Sequence, residues 1–146
     1  MLRYVTLVTC LSTTAVLAAQ GVKETVRLTV TSAEAASPLV ITAGPVIERA
    51  NVFVGAFIGE PTGPPDPSYR RYRLSYDVQV MDAIKYEAYV VLYAKGERDD
   101  DGYVYLPGPG APEYRRNIST IMRDGHDGAW HRADAAWARA LNATLP

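Results

Sequence analysis

Cysteine is almost missing from this chain: the single example, Cys10, falls within the first nineteen residues. If that leader is removed, disulfides, zinc–thiolate sites, CxxC redox chemistry and cysteine nucleophiles are all excluded. Histidine is nearly as scarce, with His126 and His131 the only two. No HExxH, GxSxG, Ser–Lys pair or glycine-rich phosphate loop opening a helix occurs, which removes the common hydrolase and nucleotide signatures. A net charge of −1 gives no general drive toward nucleic acid or anionic membrane. What catalytic chemistry is left is a pair of carboxylates brought together in space. A small secreted hydrolase of that kind, or a module that assembles with a protein partner, is the alternative to the favoured reading, a non-catalytic binding or structural domain.

The N-terminus is the clearest segment. Arg3 precedes the uncharged stretch YVTLVTCLSTTAVLA, and small residues follow up to Ala19. That is the layout of a secretory signal peptide over residues 1–19. A membrane anchor needs about 20 predominantly apolar residues, and this run is shorter and holds five serines and threonines. Cys10 lies too early for a lipid attachment site. Residues 20–146 are then expected as one exported domain, periplasmic or secreted, with no membrane span after cleavage. About 127 residues suffice for a core without disulfides.

Downstream, the pattern is one of short strands. ETVRLTVT alternates with Val26, Leu28 and Val30 on one side, and PLVITAG offers a second strand. NVFVGAFIG, with Gly55 inside it, suits a buried strand with a bulge. EPTGPPDPSY, 60–69, holds four prolines and reads as an exposed connection. RYRLSYDVQVM alternates over its whole length, with Tyr72, Leu74, Tyr76, Val78 and Val80 together. YEAYVVLYA is apolar on both sides, as a covered central strand should be, and YVYLP completes a meander. Register in the first hairpin depends on loop parity: an even loop sets Tyr89 and Tyr93 on the face of Tyr76, an odd one Val90 and Leu92. NISTIM and AWHRA flank RDGHDG like a hairpin. DAAWARALN, about 134–142, is a short helix with Asp134 as N-cap and Trp137 and Leu141 on its buried face. The fold class expected is all-β, mainly antiparallel: a small β-sandwich or barrel of about seven or eight strands with a short C-terminal helix.

Nine of the ten tyrosines lie between residues 69 and 114. Tyrosine favours strands and buries its ring, so most have structural work. Six side chains remain candidates for a binding site: Tyr69, Tyr105, Tyr114, Arg115, Trp130 and His131. Arginine beside tyrosine, as in RRYR (70–73) and YRRN (114–117), suits an anionic or carbohydrate ligand, or equally a surface paired with the acidic run. The partners expected are carbohydrate or another exported protein, not nucleic acid. Asp99–Asp101 lack calcium-loop spacing, and His126 and His131 alone make a thin site, so no metal and no cofactor is expected. The triplets at Asn117 and Asn142 are glycan acceptors only in a eukaryotic secretory pathway.

The stretch GYVYLPGPGAPEYRRNISTIMRDGHDGAWHRADAAW, 102–137, resembles a pattern of exported bacterial proteins: G-Y-V-Y-L-P-G-x-G, then Y-R-x-N, an isoleucine-bearing strand, a glycine turn and W-x-x-A-x-x-x-W. The resemblance implies bacterial export and a single domain. No activity or site residue comes with it.

Overall fold

The computed structural model describes residues 24–50, 57–80, 84–122 and 125–146. The expected signal peptide at 1–19 and the glycine at position 55 lie outside the described residues. In chain order the elements are β1 (Glu24–Thr31), β2 (Leu39–Ile41), α1 (Pro45–Arg49), β3 (Ile58–Thr62), β4 (Arg71–Val80), β5 (Ile84–Lys95), β6 (Gly102–Tyr105), α2 (Tyr114–Ile118), β7 (Trp130–Ala133) and α3 (Ala135–Asn142).

The antiparallel β class with a C-terminal helix is what the structure shows. Among the described residues seven strands form one sheet in the order β2-β1-β4-β5-β6-β7-β3, and it does not close into a barrel. One face carries the core. There Leu28, Val30, Tyr72, Leu74, Tyr76, Tyr89, Val91, Tyr93 and Val104 lie at or below 4% exposure, because alternate strand residues share a face. Helices α1 and α3 cover them with Val46, Ile47, Trp137 and Leu141.

Tyrosine hydroxyls tie the two layers. Tyr89 donates to Ala50 O (2.8 Å) and Tyr93 to Asn142 Oδ1 (2.8 Å), while Trp137 Nε1 donates to Val46 O (3.2 Å). Phe57 and Trp137 meet at 4.8 Å between ring centroids, and Tyr76 stacks on Tyr89 at 4.4 Å. Most of the tyrosine excess is therefore core. Asp134 caps α3 as its sequence suggests, accepting from Trp137 N at 2.8 Å. Asp134→Ala is expected to cost about 1 kcal/mol, read as a lower urea midpoint at unchanged slope.

The β4–β5 register pairs Tyr76 with Tyr89 and Tyr72 with Tyr93. Val80 pairs with Ile84, an odd connection, which alone would have turned Val90 and Leu92 inward. A bulge that skips Ala88, between the Tyr76–Tyr89 and Asp77–Glu87 pairs, restores the tyrosine face.

Several local expectations change. The expected strand NISTIM, 117–122, does not form: Asn117 and Ile118 end helix α2, and β7 pairs with β6 and β3 instead. Helix α1, with Pro45 in its first turn, follows the second strand, where no helix was expected. Strand β3 runs through Pro61, tolerated because β3 is the edge of the sheet and proline is confined to such edges. Among the described residues the acidic run is paired, but not with the arginines of 70–73 or 114–117. Asp101 pairs with Arg132 (2.6 Å) and Asp100 with Arg139 (3.3 Å), while Asn142 Nδ2 donates to the carbonyls of Asp99 and Asp101. Asn117 and Asn142 are buried, which is no place for a glycan acceptor.

Candidate ligand-binding face

On the face away from α1 and α3, the strand registers line up one continuous row. Thr31 pairs with Arg73, Arg73 with Leu92, Leu92 with Tyr105, Tyr105 with Trp130, and Trp130 with Thr62. Strands lie about 4.8 Å apart, so the row crosses roughly 24 Å of sheet, perpendicular to the strands. A neighbouring row holds Arg71, Ala94, Tyr103 and Arg132.

The middle of that second row, Ala94 and Tyr103, is buried beside the proline-rich connection, while Arg71 and Arg132 at its ends stay exposed. Strands β3 and β4 run in the same direction, four antiparallel steps apart in the sheet, so the connection must recross β7, β6 and β5. The distance is about 19 Å at ~4.8 Å per strand, and the segment 63–70 reaches about 26 Å at full extension. A mostly extended chain suffices: Pro64 and Pro65 stiffen its first half, and Pro67 sits in a turn closed by Tyr69 N–H to Asp66 O at 3.1 Å. Tyr69 packs on Tyr103 at 6.0 Å, Pro65 is buried, and Arg71 Nη2 donates to Pro65 O (3.5 Å) and Asp66 O (3.2 Å). Asp66 is turned into its own bend, where hydrogen bonds from the Ser68 hydroxyl and backbone N–H hold its carboxyl below the usual range. The long loop is thus a strap, with Tyr69 as its anchor.

The first row stays open. Leu92 sits on β5, the middle strand of the sheet, yet is 38% exposed. Tyr105 and Trp130 are half-buried beside it with ring centroids 5.2 Å apart. Arg71 leans across the buried Ala94 so that its guanidinium lies over the Trp130 ring, 4.8 Å from the centroid. Arg73 reaches Glu113 at 3.6 Å and Glu87 at 3.9 Å, and Glu87 also takes Arg116 and the Ser75 hydroxyl. The floor is apolar and aromatic, and its rim carries arginines.

The opening of α2 bounds this face. Pro107 and Gly108 are buried, and an added Cβ at Gly108 would collide with the backbone at Asp127 and Gly128, so the loop after β6 packs where only glycine fits. Beyond it Tyr114 donates its hydroxyl to Gly125 O and packs against the core. It thereby ties Gly125 to α2. Arg115 is exposed on α2, outside the row.

His131 points the other way, toward the helix-bearing face. It lines a cleft of about 390 Å³ with Leu106, Met122, His126, Asp127 and Pro61. Its Nδ1 lies 3.0 Å from Gly59 O and its Nε2 3.0 Å from Asp127 Oδ2. Both ring nitrogens therefore face protein oxygens. Neither nitrogen is left for a ligand or for a proton from substrate. Among the described residues no three histidine, aspartate or glutamate side chains group as metal ligands, and no helix is long and apolar enough to cross a membrane.

Of the six residues singled out from sequence, the structure unites Tyr105 and Trp130 and places Tyr69 on the strap beside them. It separates Tyr114, Arg115 and His131. Leu92, Arg71 and Arg73 complete the face. The basic run 70–73 was legible as a cluster, whereas Leu92 gave no signal without the register. No protein-family profile matches the chain, and no curated protein or solved structure shows significant similarity to it.

Proposed function

We propose that this chain is an exported, non-catalytic binding domain whose ligand, a glycan chain, lies along the Leu92–Tyr105–Trp130 row. The carrying observation is that row itself. An apolar side chain at the centre of the sheet is left 38% exposed while Ala94 and Tyr103, in the row next to it, are buried. Sugar rings offer apolar C–H faces to aromatic rings and hydroxyls to arginine forks, which suits this mixture of Tyr105, Arg71 and Arg73. A row perpendicular to the strands suits an extended polymer. Export through a leader at 1–19, a periplasmic or secreted location and kinship with the exported bacterial pattern belong to the same proposal.

The commitment of both His131 nitrogens argues against general-base chemistry in the neighbouring cleft. The test is affinity electrophoresis of the purified protein against a panel of neutral and acidic polysaccharides. Retardation by at least one is expected, and Tyr105→Ala should weaken it about tenfold, equivalent to about 1.4 kcal/mol, with an unchanged far-UV spectrum. Mobility unaffected by every polysaccharide, or a Tyr105→Ala protein as retarded as wild type, would overturn the reading.

A further inference from the structure

We infer that the open row takes one extended, β-1,4-linked glycan chain separated from its neighbours, and not the face of a packed fibre; this rests on the glycan-binding reading above. The row is the floor of a groove one side chain wide. On one side of Leu92 and Tyr105 the next outward residues are Ala94 and Tyr103, both buried. Tyr103 lies beneath the Tyr69 ring at 6.0 Å and the Arg132 guanidinium at 4.3 Å. On the other side of Arg73 and Leu92 the next outward residues are Ser75 and Val90, which pair with each other and are also buried. A charged network stands there. Glu87 accepts from the Ser75 hydroxyl and from Arg116, and Glu113, just before α2, reaches Arg73 at 3.6 Å.

Outward residues succeed each other roughly every 7 Å along a strand. Covered rows therefore flank the open one at about that distance on both sides. In a fibre each chain keeps neighbours in its own plane, and these would meet the strap or the Glu113 network before a ring settled on Tyr105. Tyr105 and Trp130 are half-buried, whereas a platform for a fibre face needs rings that stand clear of what surrounds them. Along its length the groove is continuous, because no register shift interrupts the pairings from Arg73 through Leu92 and Tyr105 to Trp130. Such a floor suits a chain that does not curl. β-1,4 linkages between equatorial positions give an extended ribbon with apolar C–H faces for the aromatic rings, while α-1,4 and β-1,3 chains coil.

The test measures the purified protein against cellulose, chitin and β-mannan, each as soluble oligosaccharides from disaccharide to hexasaccharide and as crystalline fibre. Isothermal titration reads the soluble chains, and sedimentation with the solid reads the fibres. At least one soluble series is expected to bind, with affinity rising about tenfold from the disaccharide to a chain that spans the row. The crystalline form of that polymer should sediment no protein. Tyr105→Ala should weaken every length. Leu92→Ser, at an exposed position between the aromatic pair and Arg73, should flatten the rise with length and leave the far-UV spectrum unchanged. Sedimentation with a crystalline fibre that Tyr105→Ala abolishes would overturn the single-chain inference and leave the glycan face standing. So would an affinity indifferent to length, or a rise with length that survives Leu92→Ser. Failure of all three soluble series would overturn it as well, and retardation in the electrophoresis panel would then show whether the glycan face stands without it.

Discussion

Asn117→Ala is expected to destabilise the domain by about 2–5 kcal/mol, because one carboxamide completes the open edge of the central strand. Strand β6 pairs with β5 only from Leu92 to Lys95 and then departs. The next residue of β5 would be left with a bare edge in the interior. Asn117, at 0% exposure, fills the place of a strand there: its Oδ1 accepts from Val90 N at 2.8 Å and its Nδ2 donates to Val90 O at 2.6 Å. Thr120 continues the patch by donating its hydroxyl to Ala88 O. The backbone carbonyl of Asn117 also accepts from the amides of Thr120, Ile121 and Met122, so the residue fixes the turn as well. Truncation strands a buried N–H and a buried C=O, each costing about 1–3 kcal/mol. Against a typical domain stability of about 5–15 kcal/mol that is a large share. Urea unfolding gives the magnitude, and hydrogen exchange at the Val90 amide locates it. A loss under about 1 kcal/mol, with Val90 still protected, would mean that the edge is satisfied by other means.

That residue also shows where sequence reasoning stops. Asn117 begins NISTIM, whose isoleucines and threonine resemble a strand, and nothing local says that its side chain will stand in for one. The partner, Val90, is 27 residues away. By contrast, strand β4 was legible because its apolar side obeys a period of two throughout, and α3 because Asp134, Trp137 and Leu141 satisfy cap and face together. The register between β4 and β5 was not, since the odd connection and the bulge at Ala88 cancel. Helix α1 left a weak signal in Pro45 and Glu48, compatible with a first helical turn. The proposed binding face was half visible. Tyr105 and Trp130 are chemically conspicuous, but their neighbours Leu92 and Arg73 join them only through three successive strand pairings. His131 drew attention with His126, five residues away, but its ring lies between Gly59 O and Asp127 Oδ2 on the opposite face of the sheet.

The core should also make the protein unusually sensitive to alkali. Burial raises the hydroxyl pKa of Tyr76, Tyr89 and Tyr93 above the ordinary value of 10.0, reinforced at Tyr76 by its neighbours Tyr89 and Tyr93 and partly offset at Tyr93 by the bond to Asn142. A neutral tyrosine that stays neutral when folded binds more protons than its unfolded counterpart once the pH passes about 10. Stability from these groups is therefore intact below pH 10 and lost as the pH climbs toward their folded values. Each contributes a slope of about 1.4 kcal/mol per pH unit, so three give roughly 4 kcal/mol per unit. A domain of ordinary stability then unfolds only above about pH 11. Tyrosinate absorbance should rise in two steps, the second coinciding with loss of far-UV ellipticity. Tyr76→Phe removes one of the three groups and a buried hydroxyl that has no partner among the described residues. It is expected to leave stability at neutral pH unchanged or higher and to move the alkaline midpoint upward. Tyr93→Phe should instead cost stability at neutral pH, because Asn142 loses its donor. A single smooth titration near pH 10 with the fold intact would place these three hydroxyls in contact with water and sink the account of the core as their shield.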